Sequence, residues 1–124
     1  MWFAEHGAGV TCDGDEVTRG DAHCPIRPAT THEAYKIASP GVEWRMAKWC
    51  CAVDYPLVCL GETDVTVYQH SYLWDHLPGA LMVREIGGVV RTVDGAEYGP
   101  RETSGKLVVA ADEGAYERVA RLLR

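Results

Sequence analysis

The sequence predicts an α+β fold: a mainly antiparallel sheet, with two consecutive helices after an N-terminal hairpin and a C-terminal helix. Three observations predict it. Tight-turn dipeptides, Asp13-Gly14, Gly87-Gly88 and Asp94-Gly95, join short apolar runs, and strands joined by tight turns are antiparallel. Two adjacent segments, 30–38 and 42–53, carry apolar residues at helical spacing. A third helical pattern closes the chain. Helices that segregate from hairpin-linked strands define the α+β class. With 124 residues, 47% hydrophobic and 24% charged, residues 1–124 are expected to form a single domain with its own core.

Each element has a local reason. Trp2-Phe3-Ala4 is a short apolar run. Val10-Thr11-Cys12, Asp13-Gly14 and Asp15-Glu16-Val17 follow as strand, turn and strand, because a type I′ turn needs φ > 0 at both central positions. Pro25 and Pro28 break the chain into irregular structure. Thr30, with Glu33 three residues on, reads as a capping box. Ala34, Ile37 and Ala38 share the face of that first helix, and Pro40-Gly41 ends it. Val42, Met46, Trp49, Cys50 and Val53 form an apolar stripe, with Trp44, Ala47 and Cys51 in a second. This second helix is expected to be buried on two sides and to close at Pro56. The pattern then turns strand-like at residues 57–60, 64–70, 80–86, 89–93, 96–98 and 106–110. The last helix starts at the cap Asp112 and turns Ala115, Val119, Leu122 and Leu123 inward, with Glu117 and Arg121 as an exposed i,i+4 pair.

The formal net charge of −6 is placed unevenly. Residues 1–35 hold six acids against Arg19 and Arg27. Residues 54–83 hold Asp54, Glu62, Asp64 and Asp75 with no Lys or Arg. The most basic stretch offers only Lys36, Arg45 and Lys48, which argues against nucleic acid as a ligand. An acidic surface instead suits a protein partner with a basic face. No uncharged apolar run is long enough to span a membrane, and the N-terminus lacks the basic and apolar regions of a secretory signal. The five cysteines (Cys12, Cys24, Cys50, Cys51 and Cys59) are odd in number and contain no C-x-x-C. They are read as inert, largely buried thiols of a reduced, cytoplasmic protein. The five histidines lack metal-ligand spacing, so no metal and no resident cofactor are expected.

Walker, dinucleotide-binding, nucleophile-elbow and H-E-x-x-H motifs are absent. Arg19-Gly20-Asp21 spells an adhesion tripeptide without an extracellular context. A looser pattern runs through the chain: His6-Gly7 after an apolar strand, a Gly-Asp turn at 20–21, Ala29-Thr30-Thr31 entering a helix, Thr66-Val67-Tyr68 in a strand, and 97–102 before the closing strand. This order resembles small NAD-using ADP-ribosyltransferases of the rifampin-inactivating type. The resemblance implies NAD as cofactor, with His6 on the adenosine ribose and Gly7 against the nicotinamide. It assigns no residue the role of the catalytic carboxylate, and Glu97 and Glu102, nearest to it in order, are the candidates. Ala8 stands where that family has Thr, and Arg27-Pro28 where it has an aromatic residue.

The segment 70–79 is aromatic, acidic and rich in histidine. Trp and Tyr anchor interface hot spots, so Tyr72, Trp74, Asp75 and His76 are expected to contact a partner. The leading functional expectation is a small acidic domain that binds or inhibits a partner protein, as phage- or defence-type accessory proteins do. The ADP-ribosyltransferase-like enzyme is the alternative.

Overall fold

The computed structural model describes residues 1–101 and 105–124. Three strands open the chain: β1 (Trp2–Glu5), β2 (Gly9–Cys12) and β3 (Asp15–Glu16). They form an antiparallel sheet in the order β1-β2-β3. The Asp13-Gly14 turn between β2 and β3 has φ of 50° and 88°, the doubly positive geometry of a type I′ turn.

A second, five-stranded sheet holds β4 (Pro28–Thr30), β5 (Arg45–Met46), β6 (Val65–Tyr68), β7 (Val89–Thr92) and β8 (Leu107–Ala110) in the order β5-β4-β6-β8-β7. The α+β class holds, but this sheet is mixed. β4 pairs parallel with both β5 and β6, whereas β8 pairs antiparallel with β6 and β7. The helices α1 (Cys51–Cys59), α2 (Leu73–Glu85) and α3 (Glu113–Leu123) complete the fold. α1 is the crossover between parallel β4 and β6, and parallel pairing requires such a connection. α2 carries the chain from β6 past the position that β8 later fills. No helix among the described residues is long and apolar enough to cross a membrane.

Successive strand residues face opposite sides of the sheet, and both sides are covered. Val65, Val67, Val108 and Ala110 pack against Ala115, Tyr116, Val119 and Leu123 of α3. Tyr68, Val90, Leu107 and Val109 pack against Tyr55 and Val58 of α1 and Ala80 and Val83 of α2. Double coverage explains the unbroken apolar run of β8. The expected start of α3 is present: Asp112 caps it by accepting the Ala115 N–H at 2.8 Å. Glu117 and Arg121 lie 3.7 Å apart.

The structure departs from the expected middle of the chain. The helix predicted from Thr30 is a single 3₁₀ turn, Glu33–Tyr35. Ala34, Ile37 and Ala38 are exposed, so that segment has no apolar face to bury. Thr30 ends β4 instead, donating its hydroxyl to the Val67 carbonyl and accepting the His32 N–H. The second predicted helix also fails in its first half, because Val42 bridges to Ile26 and Arg45–Met46 joins the sheet. Helix begins only at Cys51 and runs through Pro56. α2 likewise contains Pro78 and absorbs the strand expected at 80–86. Each proline removes one N–H donor within its helix, and the carbonyls left without it belong to the exposed residues Ala52 and Trp74. α2 ends in a Schellman motif: Gly87 at φ 89° bonds to the Arg84 carbonyl, and Gly88 bonds to that of Val83. Gly87-Gly88 is therefore a helix stop rather than a hairpin turn.

α1 and α2 approach closely at Gly79, where an added Cβ would lie 2.3–2.6 Å from the Tyr55 ring. Gly79→Ala is expected to destabilise the fold by about 1–3 kcal/mol in denaturant unfolding, although alanine favours an isolated helix by about 1 kcal/mol. A second contact ties the two sheets together. Asp64, wholly buried, accepts Arg19 Nη2 at 2.6 Å, His23 Nδ1 at 2.9 Å and the Arg27 backbone N–H at 2.8 Å. Asp64→Asn leaves the buried Arg19 without its counter-charge and is expected to cost about 3–5 kcal/mol by the same measurement.

Candidate active site

The first turns of α1 and α2 lie side by side, and between them opens a cavity of about 640 Å³. α1 contributes Cys51 and Tyr55, α2 contributes Trp74 and Asp75, β1 contributes Trp2, and Trp49 closes the rim ahead of α1. Asp75 is the charged side chain among the lining residues. It stands exposed in the first turn of α2, where the helix dipole favours a negative charge.

Trp49 reaches this rim through an unusual backbone. Its φ is 63°, a conformation that costs an L-residue with a side chain about 1–2 kcal/mol. The buried carboxylate of Asp54 enforces it from both sides, accepting the Lys48 N–H at 2.8 Å and the Cys50 N–H at 3.3 Å. The indole itself is 74% exposed, so the core reading of Trp49 is corrected. Trp44 is half-buried and donates its ring N–H to the Ile37 carbonyl at 2.8 Å.

Beneath the cavity floor, Tyr55 Oη and His76 Nδ1 are 2.9 Å apart. Burial pushes the Tyr55 and Tyr68 phenols well above their ordinary range and pushes the His76 imidazole down. Cys51 Sγ lies 3.8 Å from both His76 ring nitrogens. Burial first, then the charges of Asp75 and Asp54, push that thiol up to about 11. Cys59 is likewise pushed up to about 11 by burial. Neither is a thiolate at neutral pH, which removes both as nucleophiles. The expectation of mostly buried thiols holds for Cys59 alone, since Cys24 and Cys50 are exposed and Cys12 and Cys51 are half-buried.

Of the residues expected to contact a partner, Tyr72, Trp74 and Asp75 are exposed, whereas His76 is 4% exposed and faces inward. The residues expected to bind NAD sit elsewhere. His6 is almost fully exposed in the β1–β2 turn, 3.6 Å from Glu85. Gly7 N–H and Gly9 N–H donate to the Glu85 carboxylate. Glu97 is tied to Arg91 and Arg84 in a surface ion-pair network. None of His6, Gly7 or Glu97 lines the cavity between α1 and α2. Glu102 lies outside the described residues. Among the described residues, no three His, Cys, Asp or Glu side chains gather in a metal-binding cluster.

Residues 7–124 match the model of the inositol monophosphatase family, and the chain belongs to that family. It is 32% identical over 72 residues to inositol-1-monophosphatase ImpA of Mycolicibacterium smegmatis, across 58% of this chain and 25% of that protein. Its fold matches the extragenic suppressor protein SuhB of Bartonella henselae with a TM-score of 0.79 at 23% identity, covering 98% of this chain and 53% of the other. It also matches an IMPase/NADP phosphatase complexed with Mg²⁺ and phosphate, with a TM-score of 0.78 at 14% identity, covering 99% and 49%. The chain thus spans about half the length of these solved relatives and a quarter of the curated one.

Family membership corrects three expectations. The order of elements that resembled an ADP-ribosyltransferase belongs to an inositol monophosphatase fold. The reading as a partner-binding or inhibitory domain falls with it. The expectation of no cofactor, or of NAD, gives way to the divalent cations with which members of this fold have been solved. Sequence reasoning missed Trp49 and Asp54. Asp54 four residues after Cys50 was the available signal, since an aspartate there can tie down the N–H groups ahead of a helix.

The depressed imidazole of His76 has a pH consequence. A histidine whose folded pKa lies below its unfolded value, near 6.5, stabilises the fold above that pH and loses the contribution as pH falls. The melting temperature is expected to drop between pH 7 and pH 5, and His76→Gln should flatten that slope in a melting series.

Proposed function

We propose that this chain forms part of a metal-dependent phosphatase that hydrolyses a phosphate monoester, with Asp75 as a ligand to the cation. The observation that carries this reading is the family match across residues 7–124, together with a lone carboxylate at the mouth of the cavity between α1 and α2. The relative ImpA is named an inositol-1-monophosphatase, which supports an inositol monophosphate as the first substrate to try.

Mg²⁺ takes oxygen ligands and is commonly held by one or two carboxylates together with water and substrate phosphate. Asp75 fits as one such oxygen ligand, and no Lys or Arg lines the cavity to compete for it. Among the described residues, no group of three or more His, Cys, Asp and Glu side chains gathers around it. Asp75 is thus one ligand, and water and substrate phosphate would fill further positions. A bound divalent cation would supply charge stabilisation to the phosphoryl oxygens.

The surrounding residues act as support. Asp54 fixes the Lys48–Cys50 loop, and the Tyr55–His76 pair, held neutral by burial, packs beneath the first turn of α2 without adding charge. Protonated Cys51 leaves Asp75 as the anionic group facing the cavity.

The test is release of inorganic phosphate from myo-inositol 1-phosphate, with and without MgCl₂. The purified protein is expected to show Mg²⁺-dependent turnover. Asp75→Asn, with unchanged circular dichroism, should lower kcat about 100-fold or more, because metal-assisted charge stabilisation supplies several kcal/mol. Equal turnover in wild type and variant would remove Asp75 from the site.

A further inference from the structure

Trp49 is held at the surface against its own backbone preference. Its φ of 63° lies in the left-handed region that favours glycine, and its indole is 74% exposed. Asp54, itself buried, enforces this conformation through the N–H groups of Lys48 and Cys50. No core packing offsets the strain, and strain of that kind points to work at the surface.

The neighbouring rings are also fixed in place. Trp74 is 74% exposed and stacks on Tyr72, with centroids 4.9 Å apart and planes 10° from parallel. Tyr72 in turn stacks on His70 at 6.2 Å. Rings ordered before contact lose little freedom on association. Trp49, Trp74 and Tyr72, the last 54% exposed, leave about 400 Å² of aromatic surface in water. Patches of that size mark contact surfaces, and one side of a standard protein interface covers about 800 Å². The three rings supply about half of such a side before any cavity wall is counted.

The shape of the rim selects the occupant. A two-fold contact needs a projection and a recess on one surface, so that each copy fills the other. Here the two are adjacent, because Trp49 projects from the rim of the cavity of about 640 Å³ between α1 and α2. Tryptophan is a favoured anchor of interfaces when it seats in a pocket. Interface centres are poor in charge, and Asp75 is the charged side chain among the lining residues. A basic partner protein would meet a single acid there.

We propose that two copies of this chain pair about a two-fold axis at this rim, the Trp49 indole of each seated in the cavity of the other. Under the phosphatase reading, the pair covers the mouth on which Asp75 opens, so the paired form is the closed one.

The test is sedimentation velocity on wild type, Trp49→Gly, Trp49→Phe and Trp74→Ala, from low micromolar to near-millimolar concentration. Wild type is expected to show a reversible monomer–dimer equilibrium, with tryptophan emission shifting to the blue as the pair forms. Trp49→Gly should weaken pairing about 100-fold or more, since the anchor is lost twice per pair. Its melting temperature in dilute solution should be equal or higher, because glycine relieves the strain. Trp49→Phe should keep pairing within about tenfold of wild type, and Trp74→Ala should weaken it about tenfold. Each copy carries a net charge of −6, so added NaCl should tighten the pair by screening repulsion. Phosphate release per chain should rise on dilution below the dissociation constant.

A wild type that stays monomeric throughout overturns the proposal. So does pairing unchanged in Trp49→Gly and Trp74→Ala, or pairing that weakens with salt. Phosphate release that stays constant while the pair dissociates overturns it as well, since the interface would then lie elsewhere. Sedimentation needs neither Mg²⁺ nor substrate. A monomer with Mg²⁺-dependent phosphate release would sink this inference alone, and a Trp49-dependent dimer without release at any dilution would sink the phosphatase reading alone.

Discussion

The fold depends on one buried carboxylate. Asp64 is wholly enclosed. Burial on its own would raise its pKa, yet hydrogen bonds from His23, Arg19 and the Arg27 backbone outweigh it and hold the group below the usual carboxylate value. Its backbone is engaged as well, donating to the Arg27 carbonyl and accepting from Ala111. Arg19 extends the network to the carbonyls of Val58 and Thr63. The segment leaving the three-stranded sheet, the entry to β4, the end of α1 and the exit of β8 all meet at this residue. A buried charge is tolerated only when it is paired and its remaining lone pairs are satisfied, so these segments have little freedom to move apart. The Arg19-Gly20-Asp21 triplet is thus a structural tie, with its arginine side chain only 3% exposed.

A second aspartate does for the site what Asp64 does for the fold. Asp54 sits in the first turn of α1 and binds the N–H groups before it, which sets where the helix starts and how Trp49 leaves the chain. Gly79 lets α2 press onto Tyr55, and this contact sets the separation of the two helix starts. Asp75, Trp74 and Trp49 are thereby placed at one rim although Trp49 and Asp75 lie 26 positions apart in sequence. Beneath them the titratable groups are kept neutral by burial, so the negative charge of the rim belongs to Asp75. Membership of the inositol monophosphatase family gives that carboxylate a chemical context, in a chain about half as long as the solved relatives.

Local sequence determined the elements whose signals are complete within a few residues. The Asp13-Gly14 turn needs only two positive φ angles, and α3 needs only its Asp112 cap and one apolar stripe. β6, β7 and β8 were legible because valine-rich runs bounded by turn residues have few other uses. Asp75 and Trp74 stood out in sequence as an aromatic, acidic pair without basic neighbours, although the role first assigned to them was partner contact. Tertiary structure decided the rest. Thr30 and Glu33 spell a helix cap, yet parallel pairing of residues 28–30 with β6 gains more burial than a helix with exposed Ala34 and Ile37 could. Pro56 reads as a helix end and residues 80–86 as a strand, yet the packing of α1 on α2 carries α1 through Pro56 and α2 through Pro78 to Glu85. Trp49 counted as core on spacing alone, and only the grip of Asp54 on both flanking amides turned it outward. Caps and turns are short-range and written in adjacent residues. Parallel pairing, helix–helix contact and buried carboxylates act between residues distant in sequence, and they prevail because they bury more surface and satisfy more polar groups than any local preference.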